Sequence, residues 1–171
     1  KAKSKNQFVV QFKDEADMLE EFQKEIEKQT PDILTGYFSD NFDLPYIRAR
    51  AEELGVSMNL GKDDSKILFS RGRLMSAKIR GLVHIDIFRF IETTYGQYMQ
   101  SETLTLNDVA NELLGEKKIK IEHLGKNALE LKDHEWEEYF EYNLQDASLT
   151  YKLTEKLWPD LVGFTEVMQE P

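Results

Sequence analysis

Apolar residues recur along this chain first with a helical period and then with the short, turn-bounded runs of strands. Between Asp14 and Gln29, the residues Met18, Leu19, Phe22 and Ile26 fall on one helical face, with acids and lysines elsewhere, so the spacing predicts an amphipathic helix. Phe8 to Phe12 ahead of it reads as a short strand. Pro31 prevents the helix from continuing, and Asp32 to Tyr37 then reads as a buried strand. A second helix starts near Pro45, a residue favoured in a first turn, and stops at Gly55. Ile67 to Ser70 and Met75 to Arg80, joined across Arg71-Gly72-Arg73, predict a hairpin. Leu82 to Ile85 adds a strand, and Asp86 to Tyr95 has helical spacing through Ile87, Phe90 and Ile91. Leu106 to Leu114 forms a short helix ended by Gly115. The charged, glycine-containing stretch from Glu116 to Leu131 reads as connection. From Asp133, placed as an N-cap, a helix carries Trp136, Tyr139, Phe140 and Tyr142 onward until Pro159. No repeat or linker divides the pattern, which predicts one α/β domain over residues 1–171.

Composition narrows the class. A chain of 171 residues is long enough for a real core, and without cysteine it has neither disulfides nor thiolate metal sites. No apolar run approaches a membrane span, and the basic start Lys1-Ala2-Lys3-Ser4-Lys5 is followed by no signal-peptide stretch. The expectation is an intracellular, cytoplasmic protein with no membrane partner. A net charge of -10 argues against a broad electrostatic grip on nucleic acid, so any such role must be local. The basic stretch Arg71, Arg73, Lys78 and Arg80 is either that local contact or a solvated face.

The candidate chemistry lies in carboxylates. Asp43 falls where a strand hands over to a helix, and ligands of open α/β sheets bind at the carboxyl ends of strands. Tyr142 and Asp146 are four residues apart and share a helix face, which Leu149 and Leu153 extend. Alone, such a pair is an aromatic beside an ordinary helix acid. His84, His123 and His134 are dispersed, and His84 and Asp86, on one strand face, are expected to organise structure. Oxygen donors without thiols or a histidine cluster suit Mg²⁺ or Mn²⁺. Phe42 and Tyr46 either stack on a planar ligand or pack the junction.

The string Gly36-Tyr37-Phe38-Ser39-Asp40-Asn41-Phe42-Asp43-Leu44-Pro45-Tyr46 resembles the second exonuclease motif of family B DNA polymerases, and Tyr142-Asn143-Leu144-Gln145-Asp146 resembles the third. Pro31-Asp32-Ile33, Arg50-Ala51-Glu52-Glu53-Leu54-Gly55 and Gly81-Leu82-Val83-His84-Ile85-Asp86 are similar to the same family, in the same order. Thr103-Leu104 through Leu113-Leu114-Gly115 follows its archaeal-type pattern. The resemblance implies an RNase H-like fold of the DEDDy class, a mixed sheet flanked by helices, that removes nucleotides from the 3′ end of single-stranded or frayed DNA. In such sites four carboxylates hold two divalent ions roughly 3.5 to 4 Å apart. By resemblance, Asp43 and Asp146 are metal ligands and Tyr142 orients the attacking water. Phe42, Tyr46, Arg71 and Arg73 are the candidate DNA contacts.

Two departures qualify the transfer. Phe38 stands where the family usually has Asn, and the first motif, an Asp-x-Glu on a strand, is absent. Asp14-Glu15 and Asp17 fall at a helix start, where acids complement the dipole. The expectation is therefore a domain lacking its N-terminal antiparallel strands, with Ile33 to Tyr37 presenting an open edge. Its partners would be an upstream segment or separate chain carrying the first motif and a downstream polymerase domain, and the chain by itself would be inactive. Two alternatives are a catalytically silent exonuclease-like module of a polymerase assembly and a free-standing DEDD nuclease.

Overall fold

The computed structural model describes residues 6–72, 75–116 and 132–168. They fall in two compact units, Gln7–Arg89 and Phe90–Pro171 with Lys1–Asn6.

In the first unit, helix α1 spans Glu15–Gln29. Asp14 caps it by accepting the Asp17 N–H at 3.0 Å, and Glu15 and Asp17 face the positive end of the helix dipole. Thr30 closes it in a left-handed conformation, its N–H donating to the Ile26 carbonyl just before Pro31. Strand β1 (Ile33–Gly36) leads through a turn into helix α2 (Asp43–Leu54). Gly55 ends α2 at a φ of 71°, a left-handed backbone that glycine adopts without a steric penalty. Strands β2 (Leu68–Arg71) and β3 (Met75–Lys78) form an antiparallel hairpin. Strand β4 (Val83–Asp86) runs parallel to β1, with Leu34 opposite His84 and Gly36 opposite Asp86. Leu19, Leu44, Ala51, Met58, Ile67 and Leu82 belong to the core beneath, and each large one contributes about 1.5 to 3 kcal/mol by leaving water.

Helix α3 (Ile87–Thr94) follows β4 directly. In the second unit, α4 (Leu106–Leu114) is capped by the Thr105 hydroxyl, which accepts the Asp108 N–H, and it packs on the long helix α5 (Asp133–Met168). Leu149, Leu153 and Leu157 form the buried stripe of α5 at four-residue intervals, joined in burial by Ile91, Val109 and Ala110.

Three expectations change. Phe8 to Phe12 is not a strand: Phe8 is 73% exposed, and no strand among the described residues offers this segment a ladder. Strand β1 is half-buried rather than buried, since Ile33 is exposed and β4 is its one strand partner among the described residues. Helix α5 continues through Pro159, which an isolated helix would resist by about 3 kcal/mol. Contacts beyond the proline offset that cost. The Tyr95 hydroxyl donates to the Asp160 carboxylate, and Phe164 meets the Phe90 ring edge to face at 5.7 Å. The predicted connection from Glu116 to Leu131 lies, past Glu116, outside the described residues.

Candidate active site

The carboxyl ends of β1 and β4 stand side by side, and the turn that follows β1 folds over them. Asp86, 7% exposed, closes β4 and ties this turn down. Its Oδ1 accepts the Phe38 N–H at 2.8 Å and the Phe88 N–H at 3.2 Å, while Oδ2 accepts the Asp40 N–H at 3.1 Å. One carboxylate thus holds the turn and caps the start of α3. Gly36 is required where the turn folds back: a Cβ there would lie 2.3 Å from the Ser39 Oγ.

Asp40, 5% exposed, faces inward from the same turn. Its Oδ1 accepts the Ala77 N–H of β3 at 2.7 Å, and the Arg89 guanidinium lies 3.3 Å from Oδ2. His84 places Nδ1 3.5 Å from Asp40 and Nε2 3.0 Å from the Ser39 Oγ. Burial pushes the His84 pKa below its ordinary value against the pull of Asp40 and Asp86, so the imidazole is neutral at pH 7. Ser39, His84 and Asp40 reproduce the order of a nucleophilic triad, but all three side chains are buried and the Ser39 hydroxyl is pressed against Gly36. They brace the turn. This agrees with the structural role expected of His84 and Asp86.

Asp43 is different. It is the first residue of α2 and is exposed, while the next residue, Leu44, is buried and anchors the helix start in the core. Partial loss of hydration against the protein behind it raises the Asp43 pKa above the usual carboxylate value. The charge of Asp86 adds to that rise, and its own backbone N–H opposes it. Phe42 and Tyr46 flank Asp43 with rings stacked at 6.0 Å and 13°, and both are largely exposed, 62% and 54%.

The remaining candidates belong to other elements. Tyr142 and Asp146 sit one helical turn apart on α5 in the second unit, both half-buried. Arg71 is the last residue of β2, and Arg73 lies outside the described residues. Arg80 is paired with Asp63 at 3.1 Å, which fits the solvated-face reading of that stretch. Sequence reasoning missed Asp40 and Arg89; the one available signal was an acid inside an otherwise recognisable turn. The groove of about 460 Å³ between Ile26, Thr30, Asn59, Lys62 and Leu82 lies beside Pro31, at the amino end of β1, away from Asp43. No helix among the described residues is long and apolar enough to cross a membrane.

Comparison with known proteins gives this geometry a context. The family described as DNA polymerase family B, exonuclease domain, matches residues 1–109. A DNA polymerase of Pyrococcus glycovorans is 31% identical over 159 residues, covering 92% of this chain and 20% of that protein. One from Methanocaldococcus jannaschii is 34% identical over 140 residues, covering 81% and 8%. The structure of the family B DNA polymerase from the hyperthermophilic archaeon Pyrobaculum calidifontis superposes with a TM-score of 0.74 at 23% identity, covering 89% of this chain and 20% of that one. The fold is thus the RNase H-like α/β fold of polymerase exonuclease domains. The chain belongs to the family B DNA polymerase exonuclease domain family. It spans a fifth or less of the relatives named here. The family match ends before Tyr142, but an alignment over 92% of the chain leaves too few residues outside it to omit Tyr142 and Asp146.

Proposed function

We propose that these residues form the proofreading part of a family B DNA polymerase, removing nucleotides from the 3′ end of single-stranded or frayed DNA. One observation carries this reading: Asp43 is exposed at the carboxyl end of β1 while its acidic neighbours Asp40 and Asp86 are buried and hydrogen-bonded to backbone. An exposed carboxylate on a rigid strand-helix junction is available to a ligand.

Asp43 and Asp146 offer only oxygen donors, which suit hard ions such as Mg²⁺ or Mn²⁺. Among the described residues no group of three or more acidic or histidine side chains converges on one ion site. Each of the two aspartates is assigned to a divalent ion, with the family's Asp-x-Glu motif as the source of further oxygen donors. Divalent ions bound there supply water activation and neutralise phosphate charge. The Tyr142 hydroxyl orients the attacking water, the stacked Phe42 and Tyr46 rings offer a face to the terminal base, and Arg71 and Arg73 are the candidate phosphate contacts. Base stacking of this kind contributes about 1 to 3 kcal/mol per base.

The test is shortening of a 5′-labelled single-stranded oligonucleotide by the complete polypeptide with Mg²⁺ or Mn²⁺. Stepwise loss from the 3′ end, abolished by Asp43→Ala, is the expected result. Full-length substrate after incubation with the folded parent would favour a catalytically silent structural module of a polymerase assembly.

A further inference from the structure

Helix α2 has an unusual start. Its N-cap residue is Phe42, whose side chain gives no capping hydrogen bond, so although Leu44 anchors the start in the core, no N-cap side chain ties down the first backbone N–H groups. The turn does so instead, through a short relay of backbone bonds that begins at Asp86. The Asp86 carboxylate accepts the N–H groups of Phe38 and Asp40. The Phe38 carbonyl then accepts the Asn41 and Phe42 N–H groups at 3.2 and 3.1 Å, and the Ser39 carbonyl accepts the Leu44 N–H at 3.1 Å. Asp43 lies between the last two donors. Three N–H donors engage the two Asp86 oxygens and the side chain is buried, so Asp86 acts on the backbone of the turn.

We propose that Asp86 is a positioning residue for Asp43, setting the place of the Asp43 carboxylate through the 38–42 turn. This rests on the reading of Asp43 as a metal ligand. A ligand held by a clamped turn meets its ion in one geometry, and a ligand on a loosened turn must first be ordered by it. Groups that orient metal ligands from behind typically change affinity by 10- to 100-fold when lost.

The test is Mn²⁺ titration of the complete polypeptide without DNA, followed by the paramagnetic resonance of free Mn²⁺, together with amide hydrogen exchange of residues 37–44. Asp86→Asn keeps the volume and one acceptor but sets an amide N–H against the Asp40 N–H. It is expected to weaken Mn²⁺ binding about tenfold and to speed exchange in the turn, beside a fall in melting temperature from the lost Asp40 contact. A role confined to folding would lower the melting temperature and leave the Mn²⁺ affinity of the folded protein unchanged. Asp43→Ala is the companion variant. Parental Mn²⁺ affinity in Asp86→Asn beside weakened affinity in Asp43→Ala overturns the positioning role alone. Parental affinity in Asp43→Ala removes Asp43 from the ion site, and the nuclease reading and the positioning role fall together. Should Asp86→Asn not fold, Ser39→Gly frees the same turn with Asp86 intact. It is expected to weaken binding in the same direction, and parental affinity in it overturns the proposal.

Discussion

Asp40 and Asp43 stand three residues apart in one turn and meet opposite surroundings. Asp40 points inward, where the Ala77 N–H and the Arg89 guanidinium satisfy its two oxygens. Asp43 points outward from the first turn of α2, with its pKa raised chiefly by partial desolvation. A carboxylate surrounded by fixed donors stabilises a fold, whereas one at the surface beside another negative charge gains from a cation. The two halves of the turn thus divide structure from chemistry, and substitutions at the two positions should fail in different ways.

The largest effect belongs to the outward side. In the complete polypeptide, Asp43→Ala and Asp146→Ala are each expected to slow 3′-end hydrolysis more than about a hundredfold, beyond the usual cost of losing an outer partner. The melting temperature should barely move. A parental rate in Asp146→Ala would remove that residue from the mechanism. The inward side reverses the pattern. Asp40→Ala strands the Ala77 N–H and leaves the partly exposed Arg89 without this counterion. That should cost roughly 2 to 3 kcal/mol in denaturant unfolding, somewhat below the cost of breaking a fully buried pair. Unchanged stability in Asp40→Ala would erase the contrast.

Much of this was legible in the residues themselves, where local chemistry decides the outcome. Helix α4 runs from Leu106 to Leu114 as the spacing predicts, because Thr105 and Gly115 cap it by short-range bonds. The position of Asp43 at the strand-helix junction and the Tyr142 to Asp146 spacing were equally readable. What escaped depends on distant partners. Pro159 reads as a stop, and only Tyr95 and Phe90, more than sixty positions away in the chain, show why the helix continues. Asp40 looks like any loop acid until β3 and Arg89 are placed around it. The Phe8 to Phe12 pattern was right for a strand, but a strand also needs a neighbour.

Phe38 opens the same turn, and it sharpens the comparison at smaller scale. Its φ is 62°, in the left-handed region that bulky residues avoid at a cost of about 1 to 2 kcal/mol and that Asn tolerates. Its ring recovers part of that by meeting Phe88 edge to face at 5.1 Å. An Asn at this position would therefore fit the backbone requirement. Phe38→Asn should lie within about 1 kcal/mol of the parent, as strain relief offsets the lost ring contact. Phe38→Ala loses the ring and keeps the strain, so it should be the less stable of the two. Equal stabilities would show that the left-handed backbone carries no penalty here.

The smallest effect concerns Asp43 itself and follows from the sign of its shift. A carboxyl whose folded pKa lies above its unfolded value binds protons more readily in the folded state. Its favourable contribution is full below the ordinary carboxylate pKa and is lost as pH rises through the raised folded value. At neutral pH the charged Asp43 is therefore a mild burden on stability. Asp43→Asn removes the burden. It is expected to melt slightly above the parent at pH 7 in metal-free buffer, with the difference closing as pH falls below about 4, where the parent's carboxyl becomes protonated in the unfolded as well as the folded state. The same substitution at Asp40 should destabilise the protein at pH 7, because the Arg89 guanidinium loses its charged partner. Opposite signs for one chemical change, three residues apart, are what a turn with a structural inner face and a functional outer face requires.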